Sequence, residues 1–254
     1  MSSTALVRMK RTAIAALCTA TGLGLTACGP LGATVAGAGE KADSGPYAEL
    51  SGSEVLNKAV KVTKAATSLR LGVTMTTADG PVEAHMAVDT KGDCAGTISF
   101  GAAATTELIK TGDTVYLRFD EAMLRKEGEG RSKEETDAVL KTMLGKWIKD
   151  DAESGDAKDL VEFCDLDTYL GGFDADSNSA RKGGESAVNG TPTLVLAESY
   201  RDEKYTVHVA AKGTPYVLKL QVAGGTQPMS MTFAEFNKPV AAKKPAAKDI
   251  ADIG

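Results

Sequence analysis

Histidine and the residue groupings that enzymes use are scarce in this sequence of 254 residues. Only two histidines occur, His85 and His208, and the alternation of apolar residues puts each on the polar side of its strand. No G-x-S-x-G or H-E-x-x-H motif is present, and no glycine pair has the lysine of a phosphate-binding loop. We therefore expect no catalysis, no metal and no cofactor.

Long apolar runs are also missing, with one exception near the amino end. Residues 12–27 carry no charged side chain and follow Arg8, Lys10 and Arg11. This run is shorter than the roughly 20 apolar residues of a membrane-spanning helix. A positive segment followed by a short apolar segment and small residues is typical of an export signal. The pattern predicts a signal peptide at residues 1–27.

Cys28 stands at the end of this apolar run. The residues Leu25-Thr26-Ala27-Cys28 resemble the lipobox of bacterial lipoproteins. In that family the cysteine thiol is alkylated by a diacylglyceryl group, and the cysteine becomes the first residue after cleavage. Each buried CH₂ of an acyl chain such as palmitate contributes about 0.8 kcal/mol, so two or more chains hold a protein stably on a bilayer. The resemblance implies a lipid anchor at Cys28, outside the cytoplasmic membrane. A plain secretory signal is the alternative.

Basic residues are outnumbered by acidic ones. Without residues 1–27 the chain has 26 basic and 34 acidic residues, a net charge of −8. This charge argues against a nucleic-acid partner and against electrostatic docking on anionic lipid. Aromatic residues make up only 5% of the chain and alanine is abundant, a composition typical of actinobacterial proteins.

Composition divides the chain into a tether, one domain and a tail. Residues 28–46 are rich in glycine and alanine, which predicts a flexible tether from the anchor. Residues 47–238 are long enough to bury one sizeable core. Residues 239–254 are rich in proline, alanine and lysine, and we expect a poorly ordered tail.

Periodicity within the domain predicts a large sheet with helices on one face. A capping box at Ser51 and Glu54 predicts a helix at about 53–67. Apolar spacing predicts two further helices, at 133–149 and 157–170. The charged residues 125–135 predict a solvated loop before the helix at 133–149. Strands with period-two alternation precede and follow these helices, about nine or ten in all. Since no β–α–β alternation occurs, the fold class is α+β with one antiparallel sheet.

Four segments, in their order along the chain, resemble the LolA-like lipoprotein carriers of the actinobacterial LppX/LprG type. They are TGDTVYLRFD, MLGKWIK, KGTPYVLKLQV and MTFAEFNKPV. The resemblance implies a bent, unclosed half-barrel wrapped around helices, with an apolar cavity between sheet and helices that takes the acyl chains of a lipid or lipoglycan. The alternative is an anchored envelope interaction or sensor protein with the same fold and no transported ligand.

The apolar strand faces and the helix at 133–149 supply the side chains that would line such a cavity, since a dry apolar gap accepts an acyl chain. The candidate lining residues are Val73, Met75, Met86, Val88, Leu117, Leu140, Met143, Leu144, Trp147, Leu218, Leu220, Met231 and Phe233.

Two further cysteines, Cys94 and Cys164, lie within the domain. An exported protein meets an oxidising compartment, which favours a disulfide between them. Two buried free thiols or a metal pair are the alternatives, and the absence of a C-x-x-C motif argues against metal.

Overall fold

The structure is a computed structural model that describes residues 46–252 except residues 79, 102 and 172–176. The expected signal peptide, Cys28 and nearly all of the tether lie outside the described residues.

Within the described residues, eleven strands form one antiparallel sheet. The strand order is β6-β5-β4-β3-β2-β1-β11-β10-β9-β8-β7, so β6 and β7 are its two edges and the sheet is not closed. The predicted fold class, one large unclosed antiparallel sheet with helices, is confirmed. The strands are β1 (Ser68–Thr77), β2 (Gly80–Asp89), β3 (Cys94–Phe100), β4 (Ala104–Thr111), β5 (Thr114–Phe119), β6 (Ile148–Asp151), β7 (Arg181–Val188), β8 (Thr191–Tyr200), β9 (Glu203–Ala210), β10 (Val217–Gly224) and β11 (Met229–Ala234).

The register of the strands separates an inner, apolar face from an outer, mainly polar face. Directly opposed residues share a face, so the pairs Val73–Met231 and Val88–Cys94 place apolar side chains on the inner face. Cross-strand pairing likewise puts Leu117 on the inner face, opposite Leu108. Because side chains alternate along a strand, the residues directly before and after each inner-face residue point to the outer face.

The described helices are α1 (Gly52–Lys64), α2 (Glu121–Glu127), α3 (Lys133–Met143), α4 (Gly155–Val161) and α5 (Leu166–Gly171). Helix α1 begins at the predicted capping box. The side chain of Ser51 accepts a hydrogen bond from the backbone N–H of Glu54, and the side chain of Glu54 accepts one from the backbone N–H of Ser51. It contacts β7, β9 and β10. Thr63 near its end accepts a hydrogen bond from the backbone N–H of Val217 at 2.9 Å, which fixes the helix over β10.

The helix predicted at 157–170 is interrupted. Helix α4 ends at Val161, a 3₁₀ turn covers Glu162–Cys164, and α5 begins at Leu166. The 3₁₀ turn contacts β2, and a disulfide joins Cys164 in this turn to Cys94 on β3, with Cα atoms 5.4 Å apart. The bond therefore holds the helical segment against the inner face.

The helix predicted over 133–149 is too long, because α3 ends at Met143. Gly145 adopts a φ of +78°, a left-handed conformation that glycine takes without steric cost. The chain then enters β6, where Ile148 pairs with Leu117. The expected loop at 125–135 is also partly helical, since α2 extends to Glu127.

The carboxyl-terminal tail follows a defined path, contrary to the expected disorder. Directly before it, the backbone N–H of Asn237 donates to Ser68 O at 2.8 Å, and the Ser68 hydroxyl donates to Lys238 O at 2.6 Å. At its end Trp147 donates its backbone N–H to Asp249 O and accepts one from Ala251, both at 2.8 Å. The tail thus runs from β1 to the β6 edge of the sheet.

Candidate functional site

The inner face has a closed section beneath α1, the 3₁₀ turn and α5. Its largest side chains, including Leu71, Met86 and Phe233, are almost completely buried, and so are Val55 and Val60 on α1. Such a section resembles an ordinary protein interior, where side chains pack at the density of organic crystals.

The inner face also has a section where apolar side chains are only half-buried. We call it the methionine strip; it consists of Met75, Leu220, Val222, Met229 and Met231. Cross-strand pairing makes it continuous over β1, β11 and β10. Methionine is unbranched and polarisable, so it adapts to flexible apolar partners. The strip is therefore suited to contact with a chain-like apolar molecule.

A polar group borders the methionine strip on β9. Tyr205 lies opposite Val222 on the inner face, and its hydroxyl donates a hydrogen bond to Glu203. Burial, together with this hydrogen bond and the charge of Glu203, raises the pKa of Tyr205 to about 12. The tyrosine is therefore neutral at physiological pH and adds a hydroxyl dipole rather than a charge to the edge of the strip.

The thirteen predicted lining residues do not all meet. Val73, Met86, Val88, Leu117 and Phe233 are buried in the core around the closed section. Met75, Leu220 and Met231 belong to the methionine strip and pack against that core. These eight side chains share the inner face, as the alternation predicts.

The other five predicted lining residues lie elsewhere. Leu140, Met143 and Leu144 are on α3 or directly after it, and α3 packs against α2 without burying any of its residues. Leu218 lies at a bulge of β10 and lines a surface cavity with Tyr216 and Phe236. Trp147 precedes Ile148, which faces inward, and so lies on the outer side of the sheet.

A cavity of about 550 Å³ lies on the outer face, between β1–β3 and the start of the tail. Small and polar side chains such as Gly72, His85 and Thr97 form its floor, and Pro239 and Val240 of the tail border it. Its volume falls in the range of ligand pockets. The sequence predicted a cavity between the sheet and the helices and not this one. The tail forms part of its wall, and the tail was expected to be poorly ordered.

Both histidines lie on the outer face, as their positions in the alternation predict. His85 Nε2 is 2.8 Å from Glu83 Oε1, and His208 Nδ1 is 3.3 Å from Thr193 Oγ1. Burial lowers the pKa of His208. Neither histidine belongs to a group of metal-ligating side chains within the described part of the chain.

The tail also covers an aromatic corner at the β6 edge. Trp147 is only 8% exposed and Tyr116 only 2%, although both lie on the outer side of the sheet. The guanidinium of Arg118 lies 4.6 Å from the centre of the Trp147 ring, and Arg118 pairs with Glu107 at 2.6 Å. The tail reaches this corner at Ile250, which forms a parallel bridge with Trp147.

Removal of residues 239–254 is expected to expose Trp147, the only tryptophan of the chain. Its fluorescence emission should shift to longer wavelength. The free energy of unfolding should fall by about 2 kcal/mol, which is the contribution of burying one large apolar side chain. Removal of residues 253–254 alone is the control, since Asp249 and Ala251 then remain. An unchanged emission spectrum after the longer truncation would contradict this role of the tail.

Comparison with solved structures finds two mycobacterial proteins among those that match, LprF and the lipoprotein LppX. LprF from Mycobacterium bovis is 14% identical, with a TM-score of 0.50, and the match covers 77% of this chain and 97% of LprF. LppX from Mycobacterium tuberculosis is 14% identical, with a TM-score of 0.48, and the match covers 75% of this chain and 97% of LppX. The likeness to LprF confirms, at the level of the fold, the LolA-like resemblance of the sequence.

Comparison with protein-family models finds no matching family, and comparison with curated proteins finds no matching relative. Within residues 46–252, as far as they are described, no helix has the length and apolar character needed to cross a bilayer.

Proposed function

We propose that this protein is a lipid-anchored lipoprotein of the extracytoplasmic membrane face that binds the acyl chains of a lipid against the methionine strip. The half-buried, continuous apolar surface of Met75, Leu220, Val222, Met229 and Met231 carries the proposal. A surface of this kind gains free energy when an acyl chain covers it, about 25 cal/mol for each Å² removed from water.

Two further observations support the proposal. The fold is similar to that of LprF from Mycobacterium bovis, in keeping with the resemblance of the sequence to LolA-like lipoprotein carriers. The lipobox at Leu25-Thr26-Ala27-Cys28 would place the protein next to a source of lipid. Binding without catalysis accords with a strip whose side chains are apolar and whose bordering Tyr205 stays neutral.

Replacement of Met231 by tryptophan tests the proposal. The larger side chain should occupy the strip and reduce the lipid that copurifies with the protein, while the melting temperature changes little because the site is half-buried. Lipid is measured by native mass spectrometry after extraction of the full chain in gentle detergent. The expected loss of bound lipid is about tenfold or more, equivalent to 1.4 kcal/mol of binding free energy.

Two matched variants separate lipid exclusion from damage to the fold. Ser230→Trp places the same side chain on the same strand but on the opposite face, so bound lipid should be unchanged. Val88→Trp inserts it into the closed section, where overpacking should cost about 1–3 kcal/mol of stability. If the parent protein carries no lipid, or if Met231→Trp and Ser230→Trp carry equal amounts, an anchored interaction or sensor protein without a transported ligand becomes the better description.

A further inference from the structure

The carboxyl-terminal end of α3 exposes apolar side chains. Leu144, directly after the helix, is 47% exposed, and Leu140 and Met143 are half-buried. Helix α3 contacts α2, and none of its residues is buried. An amphipathic helix normally buries its apolar side, so this end of α3 lacks the cover that such a pattern requires.

Lysines flank these apolar side chains in the sequence. Residues 138–149 contain three lysines and no acidic residue. Lys141 lies one turn before Leu144, on adjoining surface of the helix. Lys146 Nζ donates a hydrogen bond to Lys248 O at 2.8 Å, and this contact brings the lysine-rich tail to the same place.

The neighbouring acids do not neutralise this group of lysines. Asp137, one turn before Lys141, already pairs with Lys133 at 2.6 Å. Asp249 follows Lys248, but no ion pair joins Lys141, Lys146 or Lys248 to an acid within the described part of the chain. Without residues 1–27 the chain has a net charge of −8, which argues against docking of the chain as a whole on anionic lipid. The lysines at this end of α3 are a local exception to that charge.

We propose that this surface docks on an anionic lipid bilayer. The α3 patch, as we name it, consists of Leu140, Lys141, Met143, Leu144, Lys146 and Lys248. Its apolar side chains would enter the boundary between headgroups and acyl chains, and its lysines would contact lipid phosphates, as in interfacial amphipathic helices. The inference extends the proposed function, on whose membrane anchor it rests, and assigns the part of the domain that faces the membrane.

Geometry and charge both favour a bilayer as the occupant. Residues 28–45 number 18, and a chain of that length spans at most about 60 Å, so an anchored domain can reach the surface with α3. A second copy of this chain would oppose lysines to lysines, which disfavours self-association through the patch. The negative charge of the rest of the chain would orient the domain with the patch toward anionic lipid.

Hydrogen–deuterium exchange of the full chain bound to vesicles tests the docking. On vesicles with about one third phosphatidylglycerol, backbone amides of residues 138–146 should exchange at least about fivefold more slowly than on pure phosphatidylcholine vesicles, since a docked segment opens less often. High salt should remove most of this protection, because the lysine contacts are screened.

Two variants make the test specific. Leu144→Asp should abolish the protection, whereas Tyr200→Asp should retain it, since Tyr200 is similarly exposed (45%) but lies at the end of β8. Equal exchange on the two kinds of vesicle, or protection that persists in Leu144→Asp, would overturn the docking.

Lipid bound to the protein is extracted from the same samples. If lipid is bound but the amides of residues 138–146 are not protected from exchange, only the docking is overturned. If these amides are protected but no lipid is bound, only the proposed lipid binding is overturned.

Discussion

Replacement of Cys28 by alanine should release the chain from the membrane or leave its first 27 residues uncleaved, and this is the largest effect that we expect from a single substitution. The thiol of Cys28 is the only group at the end of the apolar run that can take the acyl chains implied by the lipobox resemblance. Without them the chain loses an anchor in which every buried CH₂ contributes about 0.8 kcal/mol. Membrane fractionation and the intact mass of the protein measure the two outcomes.

Cys18→Ala is the matched control, because Cys18 lies within the apolar segment and should be removed with it. That variant should remain anchored and processed. Membranes are washed with high salt before analysis, so that electrostatic contacts of the α3 patch do not retain an unanchored chain. A Cys28→Ala protein that is processed and still resists the wash would refute the anchor.

Loss of the bond between Cys94 and Cys164 is expected to cost roughly 4 kcal/mol of stability. The two residues are 70 positions apart, and closing a loop of that length restricts the unfolded chain by about this amount on the chain-entropy model. The bond also holds the 3₁₀ turn and α5 over the closed section of the inner face. Urea unfolding of oxidised and reduced protein measures the difference without any substitution.

Thiol labelling supplies the control for the reduced state. Unreduced protein, denatured in the presence of a thiol reagent, should show no labelled cysteine in the domain, and reduced protein should show two. Labelling of both Cys94 and Cys164 before reduction would contradict the bond. An equal urea midpoint in the two states would show that the bond does not stabilise the fold.

Most of the helices and strands could be predicted from the sequence, because the patterns that specify them are local. The capping box of Ser51 and Glu54 predicts the start of α1 because both of its hydrogen bonds form within four residues. Gly112 and Asp113 predict the turn between β4 and β5, and Gly112 there adopts a φ of +54°. Period-two alternation also assigns Val73, Met75, Met231 and the other strand residues to the inner face, since side chains alternate along any strand.

The sequence did not determine where α3 ends. Leu140, Met143, Leu144, Trp147 and Ile148 have helical spacing, but the last two belong to the sheet. The backbone of Trp147 and Ile148 pairs with Ile250 and with β5 instead of continuing the helix, and both partners are distant in sequence. Gly145 is the one local signal that favours the earlier end, since glycine is common just after a helix.

No local pattern predicts the course of the tail or the division of the inner face into a closed section and the methionine strip. Residues 239–252 have little regular pattern, and their position depends on partners far away in the chain. Asn237 and Lys238, directly before them, hydrogen-bond to Ser68, and Asp249 and Ala251 hydrogen-bond to Trp147. Alternation likewise places Met86 and Met231 on one face. Met86, on the strand that the 3₁₀ turn contacts, is completely buried, whereas Met231 is only half-buried. Local sequence sets which way a side chain points, whereas what covers it depends on contacts between segments that are remote in sequence.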